Sequence, residues 1–511
     1  METNDNKRLA KNTLILYIRM FFTMGVSLYT SRVVLAILGV TDYGIYNVVG
    51  GVVAMFNIIN NAMASSTQRF MTFELGTGDY ERLQKVFSTS INIHALICVI
   101  MVLLAETIGL WFLNTQLIIP AERIVAANWV YQMSVLAACI GVMSVPYNAA
   151  IIAHEKMSAF AYFSVMDVTL KLLVVYLLMI SPIDKLILYS ILIFCVGLIS
   201  RIVYGIYCSK NFVETKYTKV KYTPLFKEML SFAGWGLFGN CSAFASTHGV
   251  NLLLNTFFSP AINAARGIAV QVQMAVQNFC SSFQIALNPQ ITKTYASNEC
   301  DRMRSLICTS SRLSFFLVYL MVLPIVLEAN EILSVWLKEV PEHTVNFLRI
   351  ILCVSLIDTL ANPIITAAGA TGKIKKYQTV VGSINIMIIP ISYIILRICP
   401  VPELVFVIHV LMALIAQGAR IYLVRPMIEL PLRMYIKKVV IRIVGTMIIS
   451  SVLPVALYMT LPSMSIMSFL CIGFVSVFSA LLSVFYIGLE QTERDFAILK
   501  IQNMLWKYSR K

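Results

Sequence analysis

The sequence predicts an all-α integral membrane protein of about 14 transmembrane helices, arranged as two parallel six-helix bundles with two additional C-terminal helices. Three observations predict this class. The 511 residues are 59% hydrophobic and only 13% charged, whereas soluble domains are about 45–50% apolar and about 25% charged. Apolar runs of membrane-spanning length recur along the whole chain, and parts of the chain repeat. This composition argues against a soluble enzyme, a fibre and a disordered protein.

The apolar runs are predicted to be helices because backbone amides cannot stay unpaired in lipid. The first run follows a polar and basic N-terminal stretch and is too long for the core of a signal peptide. The predicted spans are 14–38, 43–68, 86–112, 123–148, 159–179, 185–207, 227–256, 263–289, 306–336, 344–370, 378–398, 403–424, 440–460 and 465–487.

The distribution of basic residues predicts the orientation. Most of the 40 Lys and Arg lie in alternate connections, starting with the N-terminal stretch, and the opposite connections hold Arg123, Lys185 and Lys338. Cytoplasmic connections of membrane proteins carry the excess of Lys and Arg. Both termini are therefore predicted to be cytoplasmic, and the net charge of +15 is attributed to these loops rather than to nucleic-acid binding.

An internal repeat appears at a shift near 220 residues. Gly78-Asp79-Tyr80-Glu81-Arg82 aligns with Asn298-Glu299-Cys300-Asp301-Arg302. At a shift of 217, Pro146-x3-Ala150-x5-Lys156 aligns with Pro363-x3-Ala367-x5-Lys373. A repeat of about six spans predicts two parallel bundles, an arrangement in which transporters bind substrate between the halves.

The repeat predicts the domain organisation. Residues 1–210 form the N-terminal bundle and 211–424 form the C-terminal bundle. Residues 425–511 contain a linker, the two additional helices and a basic cytoplasmic tail.

Polar side chains form stripes on three predicted spans. Those of the eighth span are spaced 7, 4, 7 and 4 residues apart and fall within an arc of about 60°. The stripes comprise Asn47, Asn57, Asn61 and Gln68 in the second span, Asn240, Thr247, His248, Asn251 and Asn255 in the seventh, and Arg266, Gln273, Gln277, Gln284 and Asn288 in the eighth. Facing lipid would be costly for these groups. They either hold helices together or line a water-filled cavity, and the paired stripes favour the cavity.

The candidate substrate-binding residues in this cavity are Arg19, Arg266, Gln273, Gln277, Asn57, Asn61 and Asn251. Asp358, which shares a helix face with Asn362 and Thr366, is a candidate ion-coupling residue. His248 is a candidate proton site, with a buried structural histidine as the alternative. The sequence shows no catalytic or metal-ligand cluster, and no cofactor is predicted.

The chemistry of these residues predicts the substrate class. Guanidinium groups bind phosphate through paired hydrogen bonds, and amides suit the hydroxyl groups of sugars. Together they predict a polyprenyl-diphosphate-linked oligosaccharide. Coupling to Na⁺, to H⁺ or to the membrane potential is left open.

Four short motifs carry a family resemblance: Ser31-Arg32-Val33-Val34, Leu38-Gly39-Val40-Thr41-Asp42-Tyr43-Gly44-Ile45-Tyr46, Ala265-Arg266-Gly267-Ile268-Ala269-x-Gln271 and Pro289-x-Ile291-x-Lys293-x-Tyr295-Ala296. With them the sequence resembles the Wzx-type polysaccharide flippases of the multidrug/oligosaccharidyl-lipid/polysaccharide exporter superfamily. The resemblance implies alternating access and export of a lipid-linked glycan across a bacterial inner membrane for O-antigen or capsule synthesis. It also implies membrane lipids and a polysaccharide polymerase or glycosyltransferase as partners.

Two alternatives stay open. A multidrug/cation antiporter of the same superfamily would need acidic residues in its first bundle, but the first predicted span contains Arg19 and Arg32 and no acidic residue. A membrane glycosyltransferase or polymerase would need a sizeable external loop with acidic catalytic residues, but the predicted external loops are short. We therefore predict a transporter that is not an enzyme.

Overall fold

The computed structural model describes residues 2–54, 57–117, 119–220, 224–337, 339–461 and 466–495, together with 498 and 502. Over these ranges the chain is helical and has no β-strand, which confirms the predicted all-α class. The helices up to α9 are α1 Glu2–Ala54, α2 Asn57–Thr77, α3 Tyr80–Leu104, α4 Leu110–Thr115, α5 Ile124–Ala153, α6 Met157–Ile180, α7 Lys185–Asn211, α8 Pro224–Phe257 and α9 Pro260–Ala296.

The remaining helices are again mostly long and joined by short connections. They are α10 Cys300–Leu327, α11 Ala329–Trp336, α12 Thr344–Thr359, α13 Ala361–Thr371, α14 Lys375–Ile398, α15 Glu403–Val424, α16 Leu432–Tyr435, α17 Ile441–Thr460 and α18 Ile466–Ser483.

Eleven helices in the described ranges are long and apolar enough to cross a membrane, and each coincides with one of the predicted spans. The other three predictions, 43–68, 227–256 and 263–289, also fall on helices. The span 43–68 is divided between the end of α1 and the start of α2, whereas 227–256 and 263–289 each lie within one helix, α8 or α9. All three carry the polar stripes, whose amides and hydroxyls lower their hydropathy.

The chain divides into two compact units. Unit 1 comprises Met1–Cys241 and Ile285–Glu299, and unit 2 comprises Ser242–Gln284 and Cys300–Lys511. Both α8 and α9 therefore contribute residues to each unit. The domain boundaries expected at 210/211 and 424/425 stay predictions.

Apolar side chains from four helices form the core of unit 1. Val34 of α1, Val130 of α5, Val175 of α6 and Tyr189 of α7 belong to one buried cluster. These residues come from apolar runs that pack against each other, as helices that are hydrophobic on most faces do.

A charged cluster joins three connections at one end of unit 1. α1 is interrupted at Gly39, whose φ of +75° suits glycine, and Asp42 follows this break. Arg123 donates hydrogen bonds to Asp42 and to Asp184, the latter with an Nη1–Oδ2 distance of 2.6 Å. Asp184 also caps the first turn of α7. Burial opposes its ionisation, but Arg123 and the capping amides keep the pKa of Asp184 below its usual value.

The aligned loops of the predicted repeat have similar backbone conformations. Gly78 and Asn298, which align at the shift of 220, both have positive φ, of 79° and 60°. Glu155 and Gly372, which align at the shift of 217, also have positive φ, of 57° and 75°. Left-handed residues are common just after a helix, so the aligned loops share one kind of helix end, and the repeat itself stays a prediction.

A buried arginine holds the C-terminal helices in unit 2. Arg312 of α10 is 0% exposed. It donates to Glu490 at 3.1 Å, to both carboxylate oxygens of Glu493 at 2.6 Å and to the backbone oxygen of Lys438 at 2.9 Å. Burial of Glu490 opposes its ionisation, but contacts with Arg312 and Lys438 bring its pKa below the usual value. The cluster ties the segment after α18 to α10.

The substitution Arg312→Met is expected to lower the free energy of unfolding by about 3–5 kcal/mol, because it leaves two carboxylates without their cation. Thermal unfolding in detergent measures the effect. The triple variant Arg312→Met/Glu490→Gln/Glu493→Gln is expected to recover more than half of the loss. Arg32→Met, at an exposed position, is the control. An Arg312→Met protein that melts like the wild type would contradict this role.

A carboxyl pair between α10 and α11 makes stability depend on pH. Glu328 is 3% exposed, and burial together with the neighbouring Glu331 raises the pKa of Glu328 to about 7. The folded state therefore holds a proton that the unfolded state releases near pH 4.5. The bound proton stabilises the folded state. This stabilisation is complete below pH 4.5 and is lost as the pH rises toward 7, the pKa of Glu328 in the folded state.

The substitution Glu328→Gln is therefore expected to raise the melting temperature at pH 8 and to leave it almost unchanged at pH 4.5. Melting curves between these values, with the exposed Glu342→Gln as control, measure the difference. Equal shifts of the melting temperature at pH 4.5 and pH 8 would show that the proton on Glu328 does not contribute to stability.

Candidate functional site

The central feature of the candidate site in unit 2 is a buried arginine that pairs with no carboxylate among the described residues. Arg266, near the start of α9, is 9% exposed. Its Nη2 donates to the backbone oxygen of Thr247 at 2.8 Å, and its Nη1 donates to Oδ1 of Asn251 at 3.4 Å. Its Nε is buried and has no hydrogen-bond acceptor. Neutral acceptors satisfy the hydrogen bonds of a guanidinium but leave its charge uncompensated.

One of these contacts joins side chains of stripes that the sequence predicts on different helices. Asn251 of α8 meets the guanidinium of α9 through its side-chain amide, whereas Thr247 contributes its backbone oxygen and its hydroxyl donates to Ala243. The structure thus brings two candidate residues, Arg266 and Asn251, into direct contact.

The glutamines of the α9 stripe differ in burial along the helix. Gln273 and Gln277 are half-buried. Gln284 is buried, and its Nε2 donates to Oγ of Ser314 and to the backbone oxygen of Thr359, each at 3.2 Å. Gln284 therefore links helices, whereas Gln273 and Gln277 stay candidates for substrate contact.

Asp358 on α12 lies in a second polar group of unit 2. It is within electrostatic range of Arg420, which is buried and donates from Nε to the hydroxyl of Tyr377 at 3.3 Å. No direct ion pair joins Asp358 to a cation within the described ranges. The carboxylate is thus offset by a positive charge but remains open to a further partner.

His409 of α15 is a polar residue near the site that the sequence did not predict. It lies within electrostatic range of Arg266. It sits between apolar residues of a hydrophobic helix, so no stripe marks it. His248, in contrast, is exposed and lies 4.0 Å from the ring of Phe244, so its interpretation as a buried histidine is wrong.

Unit 1 contains the other candidate arginine. Arg19 of α1 is half-buried, lies 4.8 Å above the ring of Phe160 and donates from Nη1 to Oγ of Ser164 at 3.3 Å. In the described part of the chain it has no carboxylate partner. Asn61 of α2 is exposed. Asn57 begins α2, and its side chain lies outside the described residues.

A second polar network of unit 1 joins α1, the turn after α5 and the end of α9. The carboxylate of Glu155 accepts from Nζ of Lys293 at 2.9 Å and from Nε2 of Gln290 at 3.4 Å. Its backbone oxygen accepts from the side chain of Asn12 at 3.5 Å. Lys293 belongs to a motif that carries the family resemblance, but its partner occupies a turn that hydrophobic periodicity does not mark.

The ends of α2 and α9 come into backbone contact beside this network. A Cβ atom added at Gly76 would stand 2.7 Å from Cβ of Ala296 and 2.9 Å from the backbone oxygen of Lys293. Only glycine permits this approach. Basic-residue counts predict that this end of unit 1 is cytoplasmic, so the network lies at the predicted cytoplasmic end of the unit.

No protein-family model and no curated protein sequence matches the chain. Solved structures do. A crystal structure of MATE in the straight conformation has a TM-score of 0.72 at 13% identity, covering 83% of this chain and 96% of its own. The outward-facing conformation of a multidrug resistance MATE family transporter of the MOP superfamily has 0.70 at 13%, with the same coverage. The bent form of the Vibrio cholerae MATE transporter VcmN has 0.68 at 15%, covering 85% and 100%. The chain therefore has the multi-pass membrane fold of MATE transporters.

Proposed function

We propose that this protein is a flippase that exports a polyprenyl-diphosphate-linked oligosaccharide from the inner to the outer leaflet by alternating access. Its product would supply the synthesis of a surface polysaccharide, O-antigen or capsule. The observation that carries the proposal is Arg266, a buried guanidinium whose partners in the described part of the chain are all neutral. A cation in this setting is stabilised by an anionic ligand.

The contrast with Arg312 supports this role for Arg266. Both side chains are buried in unit 2, but Arg312 is neutralised by Glu490 and Glu493 and needs no further anion. The same fold thus supplies carboxylates where an arginine is structural. Their absence around Arg266, among the described residues, favours a ligand that brings its own negative charge.

The neighbouring groups suit a glycan attached to that anion. Asn251, Gln273 and Gln277 present amides that donate and accept hydrogen bonds, and sugar hydroxyls need both kinds of partner. The membrane potential would also favour export. In an inside-negative membrane, moving one negative charge outward gains about 2.3 kcal/mol per 100 mV.

A multidrug/cation antiporter is the second candidate function. A structural neighbour is a multidrug resistance MATE family transporter, and Asp358 is an acidic group that would suit a coupling cation. Arg420 offsets that charge, and the first span contains arginines instead of acids. These features favour the anionic substrate.

The substitution Arg266→Gln is expected to slow flipping about 10- to 100-fold, because one charge-assisted contact with a phosphate is worth about 1.5–3 kcal/mol. Proteoliposomes with a fluorescent polyprenyl-diphosphate glycan measure the rate, with and without an inside-negative potential. Arg266→Lys, which keeps the charge, is expected to retain intermediate activity.

Arg397→Gln is the matched control, because Arg397 is an exposed arginine of unit 2 with a neutral partner, Tyr393. It is expected to flip at the wild-type rate. A wild-type protein that moves no lipid-linked glycan but exchanges organic cations for H⁺ or Na⁺ would refute the proposal and identify an antiporter. Equal flipping rates for Arg266→Gln and the wild type would show that Arg266 does not contact the substrate during transport.

The Glu155–Lys293 pair is expected to act as a latch, which means that the ion pair holds the predicted cytoplasmic end of unit 1 together in one state of the transport cycle. Lys293→Glu places two carboxylates together and is expected to reduce flipping about tenfold, and Glu155→Lys/Lys293→Glu is expected to restore more than half of the rate. Since the two residues are in contact, their effects should not add.

Glu81 and Lys85 provide the control for the latch. This exposed pair of unit 1 has an Nζ–Oε1 distance of 2.6 Å, and exposed pairs contribute little. Lys85→Glu is expected to leave flipping unchanged. A double charge swap at Glu155 and Lys293 that is as impaired as the sum of the single variants would contradict the latch.

A further inference from the structure

Two cysteines of unit 1 lie against each other across a pair of helices. Cys98 is on α3 and Cys139 is on α5, and their thiol groups are in hydrogen-bonding contact. The thiol of Cys98 also approaches the backbone oxygen of Cys139 at 3.5 Å. The two cysteines are 41 positions apart in the sequence, so no spacing motif marks them. We call this pair the α3–α5 dithiol.

Contacts on both sides of the α3–α5 dithiol hold the two helices in one antiparallel register. On one side, the rings of Phe87 and Tyr147 meet edge to face, with their centroids 5.2 Å apart. On the other side, the hydroxyl of Tyr131 donates to the backbone oxygen of Ala105 at 2.8 Å. Phe87, Tyr131 and Ala105 are buried. The packing of the helices therefore keeps the two sulfur atoms together without a covalent bond between them.

The α3–α5 dithiol has apolar surroundings. No Asp, Glu, Lys or Arg lies within four positions of either cysteine, and both helices are long and apolar enough to cross a membrane. Within the described ranges, no third His, Cys, Asp or Glu completes a group that could hold a metal ion. Both cysteines are half-buried, so a small apolar molecule has access to them.

These surroundings restrict the kind of ligand that two thiols can bind. Sulfur ligands select soft elements, and they bind them as thiolates. Zinc takes four ligands, which two thiolates do not supply. A singly charged copper ion between two thiolates would leave a net negative charge, which is costly away from water. A trivalent arsenical with one organic substituent needs only two sulfur atoms and forms a neutral, apolar product.

We propose that the α3–α5 dithiol is a binding site for trivalent arsenicals that carry one organic substituent. With phenylarsine oxide, each thiol gives up its proton and forms one arsenic–sulfur bond. The arsenic–oxygen bond breaks, the oxygen leaves with the two protons as water, and arsenic stays trivalent. The product joins α3 to α5. The proposal does not depend on the transported substrate, so it can be tested even if the chain does not flip glycans.

Peptide mass spectrometry of the full chain, purified in detergent and treated with phenylarsine oxide, tests the proposal. A wash with excess 2-mercaptoethanol removes arsenic from single thiols but leaves it on a dithiol. Trypsin cleaves after Lys85, Arg123 and Lys156, so Cys98 and Cys139 are the single cysteines of two adjacent peptides, 86–123 and 124–156. We expect these two peptides to stay joined through one arsenic atom after the wash and to be separate in untreated protein.

Serine variants test the contribution of each sulfur atom. Cys98→Ser and Cys139→Ser are each expected to retain about tenfold less arsenic after the wash, because the second arsenic–sulfur bond within the same molecule is lost. Cys195→Ser is the matched control, since Cys195 is also half-buried and belongs to the same unit. It is expected to retain as much arsenic as the wild type.

Three outcomes would overturn the proposal. They are peptides 86–123 and 124–156 that are not joined in the treated wild type, arsenic retention in Cys98→Ser equal to that of the wild type, and an equal loss of arsenic in Cys195→Ser. The joined peptides are measured on the wild-type chain, so the test remains valid if a serine variant folds poorly.

Discussion

Neutralising positive charge away from water is the constraint on which the organisation of this protein depends. A guanidinium that is fully or partly buried is costly unless an opposite charge accompanies it, and the chain meets this cost in two ways. Arg123 and Arg312 are neutralised by carboxylates from distant parts of the sequence, and these ion pairs join connections and helix ends. Among the described residues, Arg19 and Arg266 have only neutral partners. The first pair therefore supports the fold, and the second pair is the basis of the proposed anionic ligand.

Hydropathy and helical periodicity predict the elements of this fold well, because both depend on local sequence. The class, eleven of the spans and the polar faces of α8 and α9 follow from these patterns. The contact between Arg266 and Asn251 joins two stripes that are visible in the sequence. The proximity of His409 to Arg266 is not predictable in this way, because a single histidine in an apolar helix has no periodic signal. Glu155 is missed for a related reason, since its role depends on a turn and on a lysine 138 positions away.

The two halves of the chain keep the same turns but place different charges on them. Glu155 and Gly372 share a left-handed conformation that glycine adopts freely and glutamate adopts at a cost of order 1 kcal/mol. The glutamate is retained in a strained position where its carboxylate reaches Lys293. In the other half glycine removes the strain and also the carboxylate, and lysines follow. The two halves thus keep the same turn in the backbone. Single side chains decide whether the turn forms an ion pair with another helix, as Glu155 does, or carries exposed lysines.

The balance of charge in unit 2 bears on which substrate the fold carries. A cation carrier stabilises its cargo with excess negative charge, but the polar groups around Arg266 and Asp358 have the opposite balance. Asp358 is offset by Arg420, and Arg266 adds a second positive charge with His409 beside it. A site with a surplus guanidinium and amides on two helices is chemically matched to a phosphate that carries hydroxyl groups. The fold of a multidrug transporter family is thereby compatible with an anionic glycolipid, because specificity depends on the side chains of the site and not on the helical framework.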